Sequence, residues 1–148
     1  MKTIFRIAIA TMILTLGAAL VAQSGPYQYV PLTPCRVVDT RNAVATNGGP
    51  MLTTAARDFA IRGNCGVPLS AKAVAVNITV TSASANSWLT IWPSGQAKPF
   101  VSTINFDSST FALANGAVVA LSTNTQDLSV ANAVGTVQVI IDVSGYYQ

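Results

Sequence analysis

Four side chains capable of chemistry crowd one short segment of this sequence. Cys35, Arg36, Asp39 and Arg41 all lie in VPLTPCRVVDTRNA, residues 30–43. Reactive groups are sparse elsewhere: the chain has no His and no Glu, and its acids are Asp39, Asp58, Asp107, Asp127 and Asp142. A catalytic Asp39 would need a second carboxylate, a His or an activated nucleophile beside it. Asp142, near the C-terminus, is the one attractive partner. If residues 36–40 form a strand, strict alternation puts Val37, Asp39 and Arg41 on one side and Arg36, Val38 and Thr40 on the other. An Asp between two Arg is a poor general acid and a good ion-pair hub. Paired charges of this kind are mostly structural. Arg36, Asp39 and Arg41 are therefore expected to bolt the strand to the DTRN turn that follows.

The wider census points away from catalysis. Without His, neither a Ser-His-Asp nor a Cys-His arrangement can be built. A glycosidase pair would have to come from two of the five Asp. No Gly-rich phosphate loop stands between a strand and a helix. Asn77-Ile78-Thr79 matches a glycosylation sequon, but it sits inside an alternating strand pattern and reads as accidental. No cofactor and no metal site are expected. Binding is better served. Trp88 and Trp92 are four apart on a candidate strand, which places them on one face about 13 Å apart. Exposed indoles at that spacing would suit stacked sugar rings; burial in the core or beneath the Pro93-Ser94-Gly95 turn is the commoner fate of large aromatics. The segment GPYQYVPLTP (25–34) is extended by its prolines and carries Tyr27 and Tyr29 on one face. It could lie on its own sheet or add a strand to a neighbouring subunit.

The N-terminus sets the compartment. Lys2 and Arg6 precede an apolar run from Ile7 to Leu16, and small residues then offer cleavage after Ala22 or Ser24. This is the anatomy of a secretory signal peptide over residues 1–24. An uncleaved anchor over Ile7–Ala22 is the alternative, disfavoured by the small-residue tail and the polar residues after it. Beyond residue 24, six basic and five acidic side chains remain, a net charge of +1. That leaves no basic patch for a nucleic acid backbone. Two cysteines in an exported chain indicate a Cys35–Cys65 disulfide. Its loop of about 30 residues would contribute about 3–4 kcal/mol in the chain-entropy model. Metal ligation by two Cys, with no His or Glu, would be a poor donor set.

The elements that must position these residues read as strands. KAVAVNITVTS places Val74, Val76, Ile78 and Val80 on one face, and GTVQVIIDVSGYY does the same with Val137, Val139, Ile141 and Val143. Residues 88–92, 100–106, 117–122 and 127–131 are shorter candidates. Turn signals fall between them at Asn47-Gly48-Gly49-Pro50, Gly63-Asn64, Pro93-Ser94-Gly95, Asn115-Gly116 and Asn124-Thr125. Roughly 125 residues after cleavage make one domain of ordinary size. The expectation is a single all-β domain over residues 25–148, an antiparallel β-sandwich of jelly-roll type.

The strings YVPLTPCRVVDTRN, RDFAIRGNCGVPLSAKAVAVNITVTSA, LTIWPSG, ANGAVVALS and VIIDVSGYY, taken together, resemble a poorly characterised family of exported bacterial β-domains. That family occurs in acidobacterial, actinobacterial and myxobacterial surface or secreted proteins. The similarity covers nearly all of residues 27–147. It implies a fold and an address, and it carries over no catalytic residue. The expected role is a non-catalytic module of the cell surface or extracellular matrix, secreted or periplasmic, with cell-envelope polysaccharide or further copies of itself as partner. The alternatives are a self-assembling extracellular subunit that donates its N-terminal strand and a carbohydrate-active enzyme using Asp carboxylates. After signal cleavage no membrane association is expected.

Overall fold

The computed structural model describes residues 26–148, so the expected signal peptide lies outside the described residues. Eight strands follow in chain order: β1 (Tyr29–Asp39), β2 (Arg57–Phe59), β3 (Ala73–Thr81), β4 (Ser87–Pro93), β5 (Ile104–Phe106), β6 (Ala112–Ala120), β7 (Leu128–Asn132) and β8 (Gln138–Tyr147). They form two antiparallel sheets of four, ordered β1-β8-β3-β6 and β2-β7-β4-β5. The pairs β1–β8, β2–β7, β3–β6 and β4–β5 make one long hairpin folded at β4–β5. Rolling that hairpin brings β8 onto β3 and β7 onto β4, which completes both sheets. The result is an all-β sandwich with jelly-roll strand order, as the sequence led us to expect.

Period-two patterning explains where the core lies. Val74, Val76, Ile78 and Val80 of β3, together with Val139, Ile141 and Val143 of β8, are buried on the inner face of the first sheet. Phe59, Leu89, Ile91, Ile104, Phe106, Leu128 and Val130 come from the second sheet to meet them in one cluster. Each such side chain contributes about 1.5–3 kcal/mol by leaving water.

Three local expectations fail. Asn115-Gly116 is not a turn: β6 runs straight through it, paired residue for residue with β3 from Ala112–Thr81 to Ala120–Ala73. The unbroken alternation of β3 supplies a template that outweighs the local turn preference. The 100–106 candidate shortens to Ile104–Phe106. Strict alternation in β1 is broken by register shifts between Pro31 and Cys35 and between Arg36 and Val38. The second shift places Arg36 and Asp39 on the same face, opposite Asp142 and Ile140.

The disulfide is formed between Cys35 and Cys65, with Cα atoms 5.6 Å apart. It ties β1 to the Gly63–Gly66 loop, whose Gly63, Cys65 and Gly66 all have positive φ. Glycine adopts that region freely, whereas Cys65 at φ 52° must be held there by its surroundings. Among the described residues no helix is long and apolar enough to cross a membrane.

Candidate functional site

The bulge in β1 assembles a four-member charge hub. Asp39 is buried and accepts hydrogen bonds from Arg41 through the backbone N (3.1 Å), Nε (2.8 Å) and Nη2 (2.6 Å). Arg36 lies 3.6 Å from Asp39 by Nη1 and donates from Nε to Asp142 at 2.8 Å. The Arg41 guanidinium is the main reason the Asp39 carboxyl is held below its ordinary range, against the opposing effect of burial. Arg36 thus reaches both Asp39 and Asp142, and each carboxylate is engaged by an arginine.

Two further arginines organise loops without any signal in the sequence. The Arg57 guanidinium donates to the carbonyls of Pro50 (2.7 Å), Gly48 (2.6 Å), Gly49 (3.0 Å) and Ala45 (3.1 Å), closing the 45–50 loop around itself. Its other face stacks on Phe59, 4.8 Å from the ring centroid, and burial lowers its pKa from the ordinary value. Buried Asp127 accepts from the backbone N of Ile61 (2.6 Å) and Arg62 (2.7 Å) and from Arg62 Nε. Arg62 Nη2 also donates to the Ser122 carbonyl at 2.6 Å. A buried carboxylate so satisfied is a structural clamp.

The aromatic candidates separate. On β4, Leu89 and Ile91 point into the core, so Trp88, Thr90 and Trp92 face outward from the second sheet. Trp92 nevertheless is only 5% exposed. The turn after β4 folds over it, and its Nε1 donates to the Gln96 carbonyl at 3.0 Å. Of the two indoles, burial takes Trp92, and Trp88 remains in solvent at 42% exposure.

Trp88 has a companion that sequence reasoning assigned to a strand. Residues 98–103 run beside β4 as a stapled wall. Thr90 Oγ1 donates to the Val101 carbonyl (2.7 Å), Thr103 N to the Leu89 carbonyl (2.8 Å), and Ile91 N to Thr103 Oγ1 (3.1 Å). This wall carries Phe100, whose ring stands fully in solvent, and the exposed Val101. Between the wall and Trp88 lies an open cleft of about 290 Å³, which Lys98, Ser102 and Asn105 also line. Asn105 is the register partner of Trp88 and accepts from Ser102 Oγ at 3.0 Å. Large exposed aromatics beside an amide, a hydroxyl and one cation form an apolar platform with polar edges.

Of the N-terminal tyrosines, Tyr29 lies on the chain's own sheet. Tyr29 pairs with Tyr147 across β1–β8, their ring centroids 5.3 Å apart. Its hydroxyl donates to the Ser144 carbonyl at 3.1 Å, and its ring covers Gly145, where a Cβ would collide with it. Gln28 and Gln148 exchange both backbone hydrogen bonds just beyond this pair, and Tyr27 precedes them at the exposed start of the domain. Tyr29 and Gln28 thus pair with the C-terminal end of the chain's own first sheet.

No protein-family model matches the chain, and no curated protein matches it significantly.

Proposed function

We propose that this chain is a non-catalytic exported module that binds glycan of the cell surface or extracellular matrix through the Trp88–Phe100 cleft. One observation carries the reading: two large aromatic side chains are held in solvent beside a walled groove, although the fold has room to bury Trp92 four residues away. Pyranose rings present apolar C–H faces that stack on indole and phenyl rings, and their hydroxyls take hydrogen bonds from amide, hydroxyl and ammonium groups such as those of Asn105, Ser102 and Lys98. Such recognition needs little charge, which suits a chain with 9% charged residues. The disulfide is compatible with an extracellular or periplasmic location.

The two alternatives have weaker support. Catalysis by Asp carboxylates would draw first on Asp39 and Asp142, and both are engaged by arginines. Strand donation by the N-terminal segment would have to break its pairing with β8.

Retention on insoluble cell-envelope polysaccharide and on defined glycans tests the proposal. The unsubstituted protein should be retained, and Trp88→Ala and Phe100→Ala should each release it while melting at nearly the original temperature. Equal retention of all three proteins would remove the cleft from the account.

A further inference from the structure

The sandwich has four edge strands, and three of them are protected against pairing. β1 carries Pro31, Pro34, two register shifts and the Arg36 charge. β2 is three residues long and includes Arg57 and Asp58, and β5 is also three residues long. Short length, proline, bulges and charge are the devices by which sheet edges avoid joining other chains.

β6 has none of them. It is nine residues long, ALANGAVVA, without a charge or a proline, and its register with β3 is unbroken. Among the described residues it pairs only with β3, so its other edge is open. Phe111 at its start is almost fully exposed, and Val118 is 60% exposed. An extended, flat, uncharged edge is a template for one more strand.

We infer that β6 pairs with β6 of a second copy of this chain, antiparallel about a two-fold axis at Gly116. The register that uses all nine residues sets Ala112 opposite Ala120, Ala114 opposite Val118, and Leu113 opposite Val119. No charge meets a charge, and the small outer-face side chains let the strands approach without hindrance. A partner of different sequence would be selected by charges or side-chain pockets along the edge, and β6 offers neither. A strand of its own kind satisfies it, and the two-fold contact closes on itself. The first sheets of the two copies then become one continuous sheet. The Trp88 cleft opens on the outer face of the other sheet, and its 98–103 wall is joined to β6 where Asn115 Nδ2 donates to the Thr103 carbonyl at 2.7 Å.

Sedimentation velocity on the purified exported protein tests this. The unsubstituted chain should show a twofold rise in mass with concentration. Ala114→Lys with Val118→Lys should abolish that rise, since lysines would then face lysines. Both positions are solvent-exposed, so the fold should be retained. Ala114→Asp with Val118→Asp should do the same, and mixing the Lys and Asp proteins should restore the doubled mass. A monomer at every concentration, dimers that persist in each charged variant, or charged monomers that fail to recombine would each overturn the inference. Should the charged variants misfold, amide exchange of the unsubstituted protein decides the matter. Exchange over residues 112–120 should slow as concentration rises, and exchange indifferent to concentration overturns the inference.

Discussion

Arg36 and Asp142 are register partners across β1 and β8, joined from Nε to Oδ1 at 2.8 Å, and the same guanidinium reaches Asp39 at 3.6 Å. The first and last strands of the jelly roll are thus linked at the point where β1 bulges. Arg36 is half-exposed, so its pair with Asp142 alone contributes no more than about 1 kcal/mol. What matters more is that the bulge lets one arginine face two carboxylates. Arg41, on the turn, then completes the neutralisation of Asp39.

Acid should loosen this hub in a definite direction. Asp39 titrates lower in the folded state than in the unfolded chain, so its contribution is complete above the ordinary carboxylate value of about 3.9 and is lost as pH falls through the lower folded value. Asp39→Asn should therefore unfold at a lower urea concentration than the unsubstituted protein at pH 7. The gap between the two midpoints should shrink as the pH is taken below about 4. A gap that stays constant down to the acid limit would contradict the electrostatic account of the hub.

The disulfide joins β1 to a loop 30 residues away in sequence. Cys35→Ser should lower unfolding free energy by about 2–5 kcal/mol, measured by denaturant titration. Thiol alkylation of the unsubstituted protein should label neither cysteine until reductant is added.

Trp92 and Trp88 should respond oppositely to truncation. Trp92→Ala empties a site under the Pro93–Gln96 turn and should cost about 3–5 kcal/mol. Trp88→Ala removes a side chain that is largely in solvent and should change stability by about 0.5 kcal/mol or less. Thermal melts of the two variants give the comparison, and equal losses would refute the assignment of different roles.

Much of this architecture was legible in the sequence, because the inner face of β3 and that of β8 from Val139 to Val143 alternate regularly and burial enforces that alternation. β6 was legible only in part. Its Asn-Gly pair is a turn signal by local chemistry, and only the long partner strand β3 keeps it extended. The side on which Arg36 falls was misjudged because a bulge leaves no mark in a period-two pattern. Arg62 and Asp127 meet across 65 residues, and no spacing rule connects them. At the candidate site Trp88 stood out by type. The burial of Trp92 depends on a turn that folds back over it, and the exposure of Phe100 depends on hydrogen bonds that fasten its segment along β4.

The central claim is that Trp88 forms a glycan contact while Trp92 serves the fold, and iodide quenching of Trp92→Phe measures it most directly. That variant has one indole left. In the free protein Trp88 should emit toward the red and be quenched readily by iodide. Saturating cell-envelope polysaccharide that retains the protein should shift the emission to the blue and cut the quenching several-fold. An indole quenched equally with and without the retained polysaccharide would contradict the claim.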